Sequence, residues 1–236
     1  MKRIDVFLLC FVAVLTTISA QNTFMGNLET SGVENGYEWV DLGLPSGLKW
    51  ATCNVGATKP KEIGDLFAWG EVEPKEDYSL GNYKWYNASD STYTKYYTDS
   101  KNNTKTKGIV DNKVVLDKED DAASVNMGGR WRMPTDEEFL ELMNLCRWER
   151  TKKGYKVIGP NGSSIFLSTY FYFGDWMASY WTRSLSLSNN AKGLFLMSSG
   201  FQYRNFRKYH KIKKHYNLYS LYRYTPYLVR GVCDRK

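Results

Sequence analysis

Residues 128–146 read GGRWRMPTDEEFLELMNLC, and this stretch carries the clearest local structural signals in the chain. Pro134 disfavours helical geometry at the residue before it, so a helix can begin only after the proline. Thr135, with Glu138 three residues later, forms a capping box typical of a helix start. Apolar residues then recur at helical spacing: Phe139, Leu142, Met143 and Cys146. The stretch therefore predicts a helix over 135–147 with one face against the core.

The chain begins MKRIDVFLLCFVAVLTTISA, which has the three-part pattern of a secretory signal peptide. Lys2 and Arg3 form a positively charged n-region, residues 6–15 form the apolar h-region, and Ala20 is the last of the small residues at the expected cleavage site. The apolar run is short for a membrane span, although a retained anchor is the alternative. We predict that residues 1–20 are removed, and that the protein is exported to the periplasm, the cell surface or the medium without a membrane span.

The remaining chain is long enough for one domain with a sizeable core. Aromatic residues make up 16% of the sequence, and the formal net charge is +7. Cys53, Cys146 and Cys233 remain after cleavage, so one disulfide and one leftover thiol fit an oxidising compartment. Their spacing does not select a pair. Because no CxxC or Cys/His cluster is present, a zinc site is not expected.

Residues 21–36 are polar and aperiodic, and they predict a flexible leader before a single domain over 37–234. Tyr37–Asp41 and residues 48–52 predict a β-hairpin around a Leu-Pro-Ser-Gly turn. A second and clearer hairpin is predicted around the Gly-Pro-Asn-Gly turn at 159–162. Further strands are predicted at 179–183, 193–197 and 227–233. Strands around a central helix, without regular βαβ alternation, indicate an α+β fold.

An acidic segment follows a long polar loop, which is predicted over 78–107. It supplies hard oxygen ligands for calcium at four positions: Asp117, Glu119, Asp120 and Asp121. The spacing is not that of an EF-hand, and the EPN, QPD and WND motifs of calcium-dependent lectins are absent. We therefore expect these acids to cap a helix or to pair with basic side chains. No cofactor is predicted, and calcium at these four residues is the alternative.

The span from Trp176 to Cys233 contains no Asp or Glu but many Lys, Arg and Tyr residues, including Arg183, Lys192, Arg223 and Arg230. Such a run stays in water or meets an anionic partner, and tyrosine also stacks on sugars and anchors interfaces. The predicted ligand-binding residues are Tyr203, Arg204, Arg207, Lys208, Tyr209, Lys211, Lys213, Lys214, Tyr216, Tyr219 and Tyr222. The predicted partner is an anionic or neutral glycan, or a protein surface. Export argues against nucleic acid, and a solvated loop without a specific role is the alternative.

Six segments together resemble the Fibrobacter succinogenes major paralogous domain, which is common in exported proteins of the Bacteroidetes and Fibrobacteres. They are VDLGLPSGLKWATCNVGA (40–57), GDLFAWGE (64–71), KEDDAASVNMGGRWRMP (118–134), GYKVIGPNGSSIFL (154–167), SYWTRS (179–184) and VRGVC (229–233). WRMPTDEEF (131–139) is also similar to a motif of the formylglycine-generating enzyme superfamily. That superfamily has a variant of the C-type-lectin-like fold.

The resemblance implies that the first and last strands pair, with Tyr37–Asp41 near residues 228–233. It also implies a long, weakly structured loop region that presents the ligand surface. Residues 201–227 depart from the family, whose members have a shorter Gly/Ser/Asn-rich segment there. Oxidases of the formylglycine-generating superfamily hold copper with two cysteines. Cys233 has no second cysteine near it in sequence, so that activity is not expected.

Three functional hypotheses follow. The first is a non-enzymatic binding module for carbohydrate recognition or adhesion, presenting residues 201–227 and also 83–97. The second is an active or degenerate enzyme of the formylglycine-generating type. The third is a structural subunit of a cell-surface assembly.

Overall fold

Short β-strands supply most of the regular structure, which confirms the α+β class. The computed structural model describes residues 29–99, 107–172, 175–186, 190–197 and 216–234. The predicted signal peptide therefore lies outside the described residues. In these ranges the α-helices are α1 (Ala122–Met127) and α2 (Asp136–Leu145), short 3-10 helices span Leu80–Asn82 and Lys118–Asp120, and none of the four is long and apolar enough to cross a membrane.

The strands are β1 (Ser31–Glu34), β2 (Tyr37–Asp41), β3 (Lys49–Asn54), β4 (Leu66–Phe67), β5 (Tyr86–Asn87), β6 (Thr92–Tyr93), β7 (Lys107–Gly108), β8 (Arg147–Thr151), β9 (Gly154–Ile158), β10 (Ser164–Ser168), β11 (Tyr170–Tyr172), β12 (Asp175–Leu185), β13 (Ala191–Met197), β14 (Tyr216–Leu221), β15 (Tyr227–Leu228) and β16 (Arg230–Cys233). They form two larger sheets, of four and six strands, and two smaller sheets of three strands.

Helix α2 begins where the sequence predicts. The Thr135 hydroxyl oxygen accepts a hydrogen bond from the Glu138 backbone N–H at 3.2 Å, and the Glu138 carboxylate accepts one from the Thr135 backbone N–H at 2.8 Å. This reciprocal pair is the predicted capping box. Three apolar residues of the helix are buried: Phe139, Leu142 and Met143. The helix ends at Leu145 rather than at 147, because the backbone becomes extended at Cys146 and continues as β8.

The four-stranded sheet has the antiparallel order β1-β2-β3-β16. The leader predicted over 21–36 is wrong from β1 onward, because β1 pairs with β2 through a turn at Asn35 and Gly36. Both turn residues have positive φ angles, 47° and 84°, which suit a tight hairpin. The implied pairing of Tyr37–Asp41 with the last strand is also wrong. The last strand pairs with β3, so β3 lies between them.

The six-stranded sheet contains β14-β13-β12-β15-β4 in that order, and β11 also pairs with β12. The strands predicted at 179–183 and 193–197 fall within β12 and β13, which pair antiparallel. β15 pairs with β12 in parallel, at Leu228 opposite Tyr180, and with β4 antiparallel. The second predicted hairpin is confirmed as β9 and β10. β8, which was not predicted, extends it to three strands.

The strand predicted over 227–233 is divided between the two larger sheets, β15 in one and β16 in the other. The Arg230 side chain is fully buried at this change of sheet. Its guanidinium donates hydrogen bonds of 2.7–2.9 Å to the Asn54 side-chain oxygen and to the backbone carbonyls of Ala51, Thr52 and Phe166. None of these acceptors is charged, and burial lowers the pKa of Arg230. This guanidinium therefore ties β16 to β3 and β10.

Replacing Arg230 by Met is expected to destabilise the fold by about 3 kcal/mol or more, because buried acceptors left without donors cost about 1–3 kcal/mol each. The free energy of unfolding in urea measures this loss. Arg147→Met is the matched control, since the Arg147 side chain is 67% exposed and pairs only at the surface with Glu149. Equal stabilities of the two variants would contradict a structural role for the Arg230 guanidinium.

Candidate functional site

Three of the predicted ligand-binding residues lie within the described part of the chain, and they differ in exposure. Tyr216 stacks on Trp148, with ring centroids 4.1 Å apart and planes inclined by 18°. Tyr219 packs edge-to-face against Phe195. Both are half-buried, whereas Tyr222 is 63% exposed. The other predicted residues lie outside the described residues: Tyr203, Arg204, Arg207, Lys208, Tyr209, Lys211, Lys213 and Lys214.

Tyr222 forms a stacked pair with Tyr224, and we call these two residues the tyrosine pair. Their ring centroids are 5.6 Å apart and their planes are inclined by 19°. Tyr224 is half-buried and packs against a cluster of buried residues around Tyr83 and Tyr93. The pair is therefore fixed on its inner side and open to solvent at Tyr222.

Arg223, between the two tyrosines, is fully buried. Its guanidinium carbon lies 3.8 Å from the Tyr93 ring centroid, with the Tyr83 and Trp69 rings at 5.8 and 5.9 Å. Nη1 donates to the carbonyl oxygens of Lys95 and Tyr96. Nε and Nη2 have no hydrogen-bond partner within the described ranges. Cation–π attraction to these rings is thus a main interaction of the Arg223 guanidinium. It holds Arg223 in place and so anchors Tyr222 and Tyr224 on either side of it in the chain.

The segment predicted as a loop over 78–107 has its own core where it is described. The exposed fractions of Tyr83, Tyr93, Tyr96 and Tyr97 are 7% or less. The contact surface proposed over 83–97 is therefore wrong for these four residues, because they are buried. The rings of Tyr83, Tyr93 and Tyr96 pack around Arg223 and Trp69. Burial raises the pKa of Tyr83 and of Tyr96, so these phenols are held neutral.

A cleft of about 410 Å³ adjoins this segment, and we call it the polar cleft. It is lined by Glu71, Val72, Glu73, Pro74, Lys75, Asn82 and Lys84. The buried Glu71 carboxylate fixes its walls, since it accepts hydrogen bonds from the Lys75 ammonium and from the Lys84 backbone N–H. Asn82 and Lys84 flank Tyr83, so the polar cleft and the tyrosine pair are both built on the same aromatic cluster. The volume of the polar cleft is in the range of small-ligand pockets.

The acidic segment pairs with lysines. The Lys95 ammonium lies 2.7 Å from Asp117 and 2.6 Å from Asp120, and Lys84 lies 3.0 Å from Asp120. Oxygens of Asp117, Glu119 and Asp120 come within 4.8 Å of one another, which is the spacing that a metal ion needs. The Lys95 ammonium is bound to two of these carboxylates. The segment therefore forms the ion pairs expected from the sequence.

Hydrogen bonds from Lys113 and Lys95 lower the pKa of Asp117 to about 2. Burial alone would raise the pKa of Asp120, but hydrogen bonds from Lys95, the Tyr96 hydroxyl and Lys84 outweigh it and lower the pKa. Asp121 is different. It is fully buried and caps α1 by accepting from the Ser124 backbone N–H, and burial raises its pKa.

Several basic residues of the span 176–233 are not available at the surface. Arg223 and Arg230 are buried. Arg183 donates to the Leu116 carbonyl beside Asp121, and Lys192 lies 3.5 Å from Asp136. The prediction that the basic residues of this span stay in water or meet an anionic partner is therefore wrong for the buried Arg223 and Arg230, whereas Arg183 and Lys192 are half-buried beside internal partners. Each pairs with a backbone, aromatic or acidic partner, a contact that composition does not reveal.

Cys53, Cys146 and Cys233 are free thiols in the structure. Burial raises the pKa of Cys146 and of Cys233 to about 11, which disfavours the reactive thiolate. Cys233 pairs with Lys49, four residues before Cys53 on β3, so the two cysteines lie roughly 13 Å apart along the strand. They cannot share one metal ion. Cys53 lines a second cleft, of about 350 Å³, with Tyr37 and Thr58.

The sequence did not reveal the polar cleft or the inward direction of Arg223. Glu71 and Lys84 are ordinary charged residues in sequence, and the contacts of Arg223 with Trp69 and Tyr93 span more than a hundred residues. Comparison of the chain with protein-family models, curated proteins and solved structures returned no match.

The ion pairs of Asp117 and Asp120 are expected to stabilise the fold above about pH 4, because the folded-state pKa values lie below the usual value of about 3.9. This contribution is lost as the pH falls towards about 2. Free energies of unfolding measured in urea at a series of pH values should fall less steeply in Asp120→Asn than in the unaltered protein.

Glu119→Gln is the control, because the Glu119 carboxylate is exposed and makes no ion pair with any described residue. It should follow the unaltered protein at every pH. If the free energy of unfolding of Asp120→Asn falls with pH as steeply as that of the unaltered protein, the ion pairs of Asp120 with Lys84 and Lys95 do not cause this pH dependence.

Proposed function

We propose that this protein is a non-enzymatic binding module that recognises a glycan or a protein surface. The observation that carries the proposal is the tyrosine pair, an exposed aromatic face held by a buried guanidinium. Tyrosine offers a large amphipathic contact area and loses little conformational entropy on binding. Because Arg223 and the aromatic cluster already fix the pair, a ligand would meet a preorganised surface.

The chemistry of the described groups favours binding over catalysis. Burial raises the pKa values of the Cys146 and Cys233 thiols and of the Tyr83 and Tyr96 phenols, so these groups are held in their neutral forms. The lysines that line the polar cleft are paired with carboxylates. Acid–base or nucleophilic catalysis instead requires a group whose pKa is matched to the reaction. The alternative of a formylglycine-generating-type enzyme has no comparable support among the described residues.

We further propose that the fold is a C-type-lectin-like variant related to the Fibrobacter succinogenes major paralogous domain. The quoted sequence segments support this assignment, as does the presence of the N-terminal hairpin and the last strand in one sheet. The position of β3 between β2 and β16 is a departure from the implied pairing. Export after removal of residues 1–20 is part of the proposal, and it places the module in the periplasm, at the cell surface or in the medium.

The basic residues between Tyr203 and Lys214 are proposed as a separate contact region, since they precede Tyr216 at the start of β14 whereas the tyrosine pair follows its end. Positive side chains there would speed the encounter with an anionic partner surface without fixing its orientation. A structural subunit of a surface assembly is the remaining hypothesis, and a concentration-dependent oligomer in light scattering would favour it.

The mature chain, residues 21–236, is expected to bind selected glycans on an array at low and at physiological salt. Tyr222→Ala should weaken that binding by about tenfold or more, which corresponds to about 1.4 kcal/mol of lost contact. Tyr37→Ala is the matched control: Tyr37 is 38% exposed but belongs to β2 in the other large sheet. Tyr222→Phe should retain binding if the ring face is what matters.

No selective glycan, or equal binding by Tyr222→Ala and Tyr37→Ala, would contradict glycan recognition through the tyrosine pair. The same two variants would then be compared in pull-downs with surface proteins of the source cell. A partner that Tyr222→Ala fails to retain would support recognition of a protein instead.

A further inference from the structure

The lysines of the described site each pair with at least one carboxylate. Lys75 lies 2.8 Å from Glu71, Lys84 lies 3.0 Å from Asp120, and Lys95 bridges Asp117 and Asp120. Lys113 also pairs with Asp117. An anionic ligand would have to compete with these internal partners, two of which, Glu71 and Asp120, are buried. Separating a buried carboxylate from its cation is strongly unfavourable.

Among the described residues, the further cation beside the tyrosine pair is out of reach. Arg223 is fully buried among aromatic rings, so a ligand at the surface cannot contact its guanidinium. The polar cleft also carries Glu73, which is exposed and makes no ion pair with any described residue. The cleft is therefore lined by two acids and two lysines, and its unpaired charge is negative. Sulfate or carboxylate groups would be repelled by Glu73.

The side chains of the polar cleft can instead bind the hydroxyl groups of a sugar. The Glu73 carboxylate can accept hydrogen bonds, and the side-chain oxygen of Asn82 has no donor among the described residues. The Asn82 amide nitrogen is already used, because it donates to the Asp77 carbonyl and so fixes the side chain. The exposed face of Tyr222 offers a flat apolar surface for the C–H face of a sugar ring. Acceptor groups and an aromatic face that are built on the same aromatic cluster match a polyhydroxylated ring without formal charge.

We infer that the ligand of this site is an uncharged glycan rather than an anionic one. The inference rests on the proposed binding function and narrows its ligand class. Recognition then depends on stacking at the tyrosine pair and on hydrogen bonds in the polar cleft. The basic residues between Tyr203 and Lys214 do not hold this ligand.

Calorimetric titrations of residues 21–236 with uncharged and anionic oligosaccharides test the inference. The uncharged probes are mannohexaose, cellohexaose and chitohexaose, and the anionic probes are a heparin octasaccharide and an oligogalacturonate. At least one uncharged probe should bind with a Kd that changes less than about twofold between about 50 and 300 mM NaCl. Tyr222→Ala and Glu73→Ala should each raise that Kd, by about tenfold and about fivefold.

The triple variant Lys211→Glu, Lys213→Glu and Lys214→Glu should leave the Kd for the uncharged probe unchanged within about twofold. Tyr37→Ala should also leave it unchanged. Circular dichroism of each variant would show that the fold is retained, so that a lost affinity reports on contact.

Two failures are distinguishable. Salt-sensitive binding of an anionic probe alone, abolished by the triple variant or by Tyr222→Ala, would overturn the uncharged class and leave a binding function in place. If no probe binds, and if Tyr222→Ala retains every protein partner that the unaltered protein retains in pull-downs, both the inference and the proposed function are overturned.

Discussion

The fold depends on one buried cation, the guanidinium of Arg230, at the point where the chain passes from one large sheet to the other. It reaches its acceptors on β3 and β10 through hydrogen bonds to uncharged oxygens. A charge in this position is unfavourable unless every donor is satisfied, so the neighbouring backbone is held in one arrangement. Residues 228–230 therefore fix how β15 and β16 enter their two sheets.

A second buried arginine acts at the candidate site by a different interaction. Arg223 is surrounded by aromatic rings rather than by carbonyl oxygens, and it holds the turn that presents Tyr222. The two arginines show why a basic composition is a poor guide to surface charge in this chain. Where lysines do reach the site, acids neutralise them. Around the tyrosine pair and the polar cleft the described surface is consequently aromatic and polar, and its lysines are paired with acids.

Features encoded by neighbouring residues could be predicted from the sequence. The capping box of Thr135 and Glu138 and the turn between β9 and β10 need only a few adjacent residues, and both form as expected. Features that depend on distant partners could not. β1 is ordered by pairing with β2, although its Ser-Gly-Val-Glu sequence carries no strand pattern. The inward packing of Tyr83 and Tyr96 likewise requires Arg223, which lies more than a hundred residues away in sequence.

The most direct test of the account is amide hydrogen exchange of residues 21–236 with and without the uncharged glycan that binds best. The account predicts slower exchange at residues 71–84, around the polar cleft, and at residues 222–225, around the tyrosine pair. Exchange in β2 and β3 should not change. Protection confined to residues 36–38, 51–53 and 57–58, which line the second cleft, would contradict the assignment of the binding site.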